Sequence, residues 1–482
     1  MTGKTMNILF KFFSFLLLPV FIIITGALPA AAASGFQLPS PDKINYLPLR
    51  FNLPQTQRVV LENGIVLYIL EDHELPLINI RGLIKTGTMY DPEGKEGVAE
   101  LTAYVMRTGG TAKLKSAEVD SQFDFMAASA SISMSMEAAQ VNFSILNKDL
   151  DPGLDLLAQI IIHPAFEQEK FELARQLTDE GLRRLKDDPQ KLAFREFNRL
   201  IYHDDPRGGV PTYKSLSNIT RDDLTKFHGS FFLPNNTMFA ISGDITKEEA
   251  IEKFKRYFGD WKTGNIPPDV SAPVQKSNAG VYLINKEVAQ STIVSGQFTV
   301  SKNDPDFYAS TILDFIVGSG GFPSRIVSVV RNNEGLAYSA GSFYRARPKY
   351  GIFGNYAFTK TSTTMKTLAL LDSVLENIQS DSITAKEMDW AKKSINNGFI
   401  FSFSTAEQIV WQRMNIEYEK LPADFLINYR DKIEKVTIKD IDNVAAKYLD
   451  QTKNIVLILG DSNKFDKPLK TNKPYIYITP EE

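Results

Sequence analysis

A block of sequence occurs twice in this chain, and that repetition limits its folds more than any other feature. Thr220-Arg221-Asp222-Asp223-Leu224 recurs as Thr437-Ile438-Lys439-Asp440-Ile441 at an offset of 217 residues. At the same offset, Met238-Phe239-Ala240-Ile241-Ser242-Gly243-Asp244 recurs as Ile455-Val456-Leu457-Ile458-Leu459-Gly460-Asp461, and Phe231 meets Tyr448. Each copy reads as a polar helix start, a short amphipathic helix, a turn, an apolar strand and a Gly-Asp turn. Two anchored ends without a gap indicate duplication. A chain of 482 residues is also too long for one core. The expected organisation is two homologous domains, 34–261 and 277–482. Gly264, Pro267, Pro268 and Pro273 mark 262–276 as a linker.

Each half opens with strands. Arg58 to Leu70 reads as a hairpin turning at Glu62-Asn63-Gly64, and Leu77 to Lys85 follows as a strand. Gly280 to Ile284 and Thr292 to Val300 take those parts in the second half. Helices then dominate: 96–107, 116–127, 151–162, 167–186 and 190–202 in the first half. The second half adds 305–317, 322–332, 363–380, 385–421 with a break near Ser402-Phe403-Ser404, and 423–435. Strands mixed with helices in this order argue an α+β fold.

The N-terminus carries an address. Lys4 and Lys11 precede and flank a mostly apolar run from Phe12 to Leu28, and Ala30-Ala31-Ala32-Ala33 offers a small-residue cleavage site. Residues 1–33 read as a signal peptide, so the mature protein is expected in a periplasm or another exported compartment. A retained anchor is the alternative, because the run approaches spanning length. Beyond residue 33 no second span is expected. Removing both lysines moves the formal charge from −3 to −5. No basic patch with interleaved aromatics stands out, which argues against nucleic acid as a partner. The absence of cysteine excludes zinc ribbons, thiol nucleophiles and disulfides. The four histidines, His73, His163, His203 and His228, share no helical-turn spacing.

One helix carries a chemical pattern with its chemistry missing. Gly97-Val98-Ala99-Glu100-Leu101-Thr102-Ala103-Tyr104, within Leu77 to Thr111, resembles the metal-binding helix of the insulinase/pitrilysin family of zinc peptidases. There a His-x-x-Glu-His run puts two ligands and a general base on one helical face, at i, i+4 and i+3. Here those positions hold Glu100, Ala103 and Tyr104. Glu100 can ligate a metal. Ala103 cannot act as a base, and Tyr104 is a poor ligand near neutral pH because its phenol stays protonated. The family takes a third ligand from a downstream helix. Aligned back from Asp187-Asp188-Pro189, that position falls on Gly181, with Glu180 about 100° around the helix. The resemblance covers nearly the whole mature chain and is nearest to the short bacterial members, which resemble mitochondrial processing peptidase subunits. It implies two related domains, each an antiparallel sheet packed with helices, enclosing a chamber.

The second half keeps a different motif. Val317-Gly318-Ser319-Gly320-Gly321-Phe322-Pro323-Ser324-Arg325 leads into Val330-Arg331-Asn332-Asn333-Glu334-Gly335-Leu336-Ala337-Tyr338-Ser339. No Gly-Lys-Ser/Thr follows the glycines, so a phosphate loop is not expected. The resemblance implies that Arg331 and Tyr338 contact substrate, and that Gly318, Gly320 and Gly321 form a turn beside it. Arginine offers a fixed fork for a peptide carbonyl or carboxylate. A tyrosine hydroxyl can donate to the oxyanion formed at the scissile carbonyl. Asn332 and Glu334 depart from the commoner Glu and Arg. The expected function is that of a non-catalytic subunit with no metal of its own. It supplies Arg331 and Tyr338 in trans to a zinc-binding paralogue that carries His-x-x-Glu-His, with peptides as substrate. The alternatives are a peptide-binding or scaffold protein without proteolysis, and an active metallopeptidase with a non-standard metal site at Glu100 and Glu180.

Overall fold

A computed structural model describes residues 53–274, 278–468 and 475–480. The expected signal peptide lies outside the described residues. The chain forms two six-stranded sheets. In the first half the strands are β1 (Gln57–Val60), β2 (Val66–Glu71), β3 (Leu77–Ile84), β4 (Ser129–Met134), β5 (Ala139–Leu146) and β6 (Thr237–Gly243). The helices are α1 (Val98–Thr108), α2 (Ser116–Phe125), α3 (Leu150–Ile162), α4 (Gln168–Leu185), α5 (Pro189–Tyr202), α6 (Tyr213–Asn218), α7 (Arg221–Phe231) and α8 (Lys247–Phe258). The second half contains β7 (Gly280–Asn285), β8 (Gln290–Thr299), β9 (Ala337–Ala346), β10 (Gly351–Lys360), β11 (Ile455–Gly460) and β12 (Tyr475–Tyr477). Its helices are α9 (Phe307–Asp314), α10 (Thr364–Ser380), α11 (Ala385–Ile400), α12 (Ala406–Tyr418), α13 (Phe425–Lys435) and α14 (Ile438–Tyr448).

The sequence repeat is a structural repeat. The first sheet runs β1-β2-β6-β3-β5-β4 and the second β12-β7-β11-β8-β10-β9, so five positions correspond one to one. The repeated helices α7 and α14 start on the same capping box, Thr220 with Asp223 and Thr437 with Asp440. The repeated strands β6 and β11 are apolar on both faces because each is inserted mid-sheet and covered on both sides. By contrast β5 alternates strictly, with Ala139, Val141, Phe143 and Ile145 turned to the core. The sheets are mixed, not wholly antiparallel. β6 pairs parallel with β2, and β11 parallel with β7, because each returns after a long helical crossover. The outer strands break the symmetry: β1 is antiparallel to β2, and β12 is parallel to β7.

The halves exchange helices. The apolar face of α5, from the first half, packs on β8 and β11 of the second sheet through Leu192, Ala193, Phe197 and Ile201. Reciprocally, α12 packs on β2 and β6 of the first sheet through Val410, Trp411 and Met414. The linker is tied down as well. Asp269 pairs with Lys85 of the first half and lies 3.7 Å from both Lys349 and Lys420 of the second. Arg207 Nη2 donates to Ser271 O at 2.8 Å.

Candidate functional site

The degenerate helix is well built. Gly97 opens α1 at φ 109°, a conformation that favours glycine. Asp91 accepts from the backbone N–H of Gly97 and of Ala99, each at 2.7 Å, and so caps the helix from outside it. Burial pushes the Asp91 carboxyl up to about 7 against those two bonds, and nearby Glu100 and Glu96 push the same way. Along α1, Val98, Ala99, Leu101, Thr102, Val105 and Met106 face the core, and Ala103 is buried with them. Glu100 and Tyr104 reach solvent. Surrounding protein nevertheless raises the Glu100 carboxyl above the ordinary glutamate range by desolvation.

α4 packs beside α1. Gly181 faces open space there, since a Cβ would meet nothing within 4 Å. Leu177 and Leu173, one and two turns earlier on the same helical face, are exposed. Glu180 is engaged by Arg184 Nε at 2.8 Å. The histidines are elsewhere. His228 is half-buried, held by Ile161 O at 2.8 Å and stacked on Phe232, and desolvation lowers its pKa. His73 pairs with Asp244 and His203 with Asp204. Among the described residues no group of three or more His, Asp or Glu could hold a metal ion. The residues at the motif positions do not fit zinc: a carboxylate, a phenol and a glycine stand where the ligands would be, and a buried alanine where the general base would be.

The second-half motif has a more unusual backbone. α9 runs without a break into a π-helical turn, Phe315–Ser319, and a second π-helix spans Val327–Asn333. Both expected helices, 305–317 and 322–332, are therefore partly π, a geometry that sequence periodicity does not reveal and that is often found at functional sites. Gly318 is buried, and a Cβ there would lie 2.2 Å from Ser342 N on β9. At Gly320 a Cβ would come within 2.5 Å of Phe315 O and of the Trp390 ring. These two glycines are required by packing. Gly321, at φ +78°, is the open one.

The structure brings Arg331 and Tyr338 together and adds Phe322, which sequence reasoning missed. The Arg331 guanidinium carbon lies 4.6 Å from the Phe322 ring centre and 4.9 Å from that of Tyr338. Tyr338 is 80% exposed and Phe322 61%. Among the described residues neither the guanidinium nor the Tyr338 hydroxyl forms a hydrogen bond or ion pair. The two departures have partners: Asn332 Nδ2 donates to Phe322 O at 3.1 Å, and Glu334 pairs with Lys366 at 2.7 Å. A glutamate at 332 could not donate that bond. Arg325 anchors the segment by a two-pronged pair with Glu387, at 2.7 and 3.0 Å. Beneath it Asp314 accepts from Ser342 Oγ at 2.6 Å, and burial pushes its carboxyl up to about 6. This cluster neighbours β9 and α10, whereas α1 neighbours β4, α4 and α7, so the two motifs sit on different elements.

Comparison with known proteins supplies a context. A family profile described as insulinase (peptidase family M16) matches residues 70–209, and one described as peptidase M16 inactive domain matches 218–395. An uncharacterized zinc protease of Rickettsia bellii is 24% identical over 406 residues, covering 82% of this chain and 93% of that protein. The non-peptidase homolog YmxG of Helicobacter pylori is 24% identical over 404 residues, covering 82% and 92%. The crystal structure of a peptidase M16 inactive domain from Pseudomonas fluorescens superposes with a TM-score of 0.78 at 23% identity, covering 87% of this chain and 100% of that one.

Proposed function

The chain belongs to the insulinase family of peptidases, M16, and from that premise we propose that it is a non-catalytic subunit lending Arg331 and Tyr338 to a zinc-binding partner. One observation carries the reading. Tyr338 is exposed, Arg331 is half-buried between two rings, and the donors of both are unengaged within the described chain, while the metal-motif positions hold Glu100, Ala103, Tyr104 and Gly181. The pair therefore suits an acceptor outside the chain. In this reading the partner is a paralogue with His-x-x-Glu-His, and metal and general base belong to it. Arg331 clamps a peptide carbonyl, Tyr338 donates to the developing oxyanion, and the turn at Gly320 and Gly321 lies beside the peptide. The two homologous domains, 34–261 and 277–482, act as one body through the exchanged helices α5 and α12. The N-terminal segment directs the complex to an exported compartment.

The test is co-purification of the tagged chain from its native host. A near-stoichiometric partner with intact zinc ligands is expected, together with peptide hydrolysis by the complex. Tyr338→Phe should lower turnover by about 10²–10³, as for a lost oxyanion donor. Unchanged turnover would remove that role. The name of the Helicobacter pylori relative, a non-peptidase homolog, favours a second reading: peptide binding or scaffolding without proteolysis. Recovery of the chain alone would select it. A metal at Glu100 and Glu180 fits less well, because Glu180 is held by Arg184.

A further inference from the structure

Phe322 has no role in the reading above, yet the structure displays it. It sits in the turn after Gly321 and before Pro323, where small or polar residues are the rule, and its ring is 61% exposed. Its backbone is fixed. Asn332 Nδ2 and Ser328 Oγ both donate to Phe322 O, at 3.1 and 3.4 Å, and Ser324 Oγ donates to Gly321 O at 2.6 Å. Part of the ring meets the Arg331 guanidinium. A guanidinium laid against a ring keeps its N–H edge free for a hydrogen-bond acceptor. The remaining ring surface is apolar, exposed and a few ångströms from that edge.

We infer that Phe322 is a specificity-determining residue of this site: its ring receives a large apolar side chain of the peptide whose carbonyl Arg331 holds. The inference rests on the Arg331/Tyr338 reading and deepens it. Arg331 recognises a group present in every peptide, so alone it selects nothing. An aromatic surface beside it distinguishes Leu, Phe or Tyr from Ala or Ser, because only a large side chain removes the ring from water. Asn332 is the positioning residue, since its donated bond sets where the ring stands.

The experiment uses the isolated full chain and two fluorescein-labelled peptides that differ only in a central Phe or Ala, with binding read by anisotropy. The wild type should favour the Phe peptide by about tenfold or more. Phe322→Ala should bring the two within about twofold, a collapse of that same discrimination, with the larger loss on the Phe peptide. Phe322→Leu should keep part of the preference, and Asn332→Asp should weaken it. Arg331→Ala should weaken both peptides equally. A Phe322→Ala chain that keeps the wild-type ratio overturns the inference and leaves the Arg331 reading standing. An Arg331→Ala chain that binds normally, with selectivity still lost in Phe322→Ala, overturns the Arg331 reading and leaves the ring assignment. If Phe322→Ala weakens association with a co-purified subunit but not peptide selectivity, the ring is a subunit contact and the inference falls. A wild type that binds neither peptide also overturns it. Phe322 is exposed, so folding is expected to survive each change, and matched melting temperatures verify this.

Discussion

Replacing Phe197 by alanine tests the exchange of helices directly. Phe197 lies on α5 in the first half, but its fully buried ring belongs to the second half's packing. It meets Phe343 edge-on at 6.3 Å and 83°. Its tip lies where a Cβ at Gly296 of β8 would come within 2.9 Å. Truncation returns roughly 150 Å² of apolar surface to water, about 4 kcal/mol at about 25 cal/mol per Å². The cavity left above Gly296 adds to this, and the better helix propensity of alanine offsets about 0.5 kcal/mol. The net loss is about 3–5 kcal/mol. Urea unfolding of chains keeping only Trp261, in the first core, or only Trp390, against the second, reads each half separately. Because α5 joins the two, both reporters should move together to lower urea. A cycle with Phe343→Ala should return a coupling of about 1 kcal/mol. A loss below about 1 kcal/mol, or a shift seen by Trp390 alone, would refute the account of α5 as a shared element.

Three further perturbations separate the forces around the motif and the linker. Burial raises the Asp314 carboxyl to about 6, so the folded chain holds this proton more tightly than the unfolded one; its contribution is present below about pH 4 and is lost as pH rises through 6. Asp314→Asn should therefore lessen the fall of the urea midpoint between pH 4 and 7, leaving the part due to Asp91, and raise stability at pH 7 by up to about 3 kcal/mol. Gly318→Ala forces a Cβ to within 2.2 Å of backbone on β9 and should cost about 3 kcal/mol or more by thermal melt, whereas Gly321→Ala, in open space at positive φ, should cost only about 1–2. Asp269→Asn removes partly exposed ion pairs with Lys85, Lys349 and Lys420, so a loss of about 1 kcal/mol is expected in low salt, fading at about 0.5 M.

The fold was legible where one residue pattern had one structural meaning. The repeat at 220–244 and 437–461 located α7, α14, β6 and β11, because a capped helix followed by a doubly apolar strand has few other readings. The break of the long second-half helix showed in Ser402-Phe403-Ser404, where Phe401–Phe403 is a 3₁₀ turn between α11 and α12. β4 and β5 were not legible as strands: Ser129–Met134 is an edge strand rich in serine, with too little apolar contrast to mark it. β9 and β10 were hidden for a related reason, since glycines at 341, 351 and 354 interrupt their apolar pattern. The exchange of α5 and α12 was beyond sequence reasoning altogether. An amphipathic helix records that one face is buried and not whose sheet buries it. At the candidate site, the motif singled out Arg331 and Tyr338, and the structure brings their side chains together. Phe322 had a signal, a bulky ring in a glycine turn, that went unread.

The two motifs diverge in a way that physical chemistry makes coherent. A helix free of metal ligands avoids a local cost, because one that must gather charged and ligating groups on one face sacrifices packing to do so. Here α1 buries Ala103 with its apolar neighbours and takes an external carboxylate cap, which is how an ordinary structural helix is stabilised. The Arg331 segment shows no such relaxation. It keeps two π-helical turns and two exposed aromatic rings against a guanidinium. A π-helical turn is a rare geometry that recurs at functional sites, and the exposed rings leave apolar surface in water that burial would have removed. These features set the two motifs apart and support the proposal that the contact surface of this chain lies at Phe322, Arg331 and Tyr338.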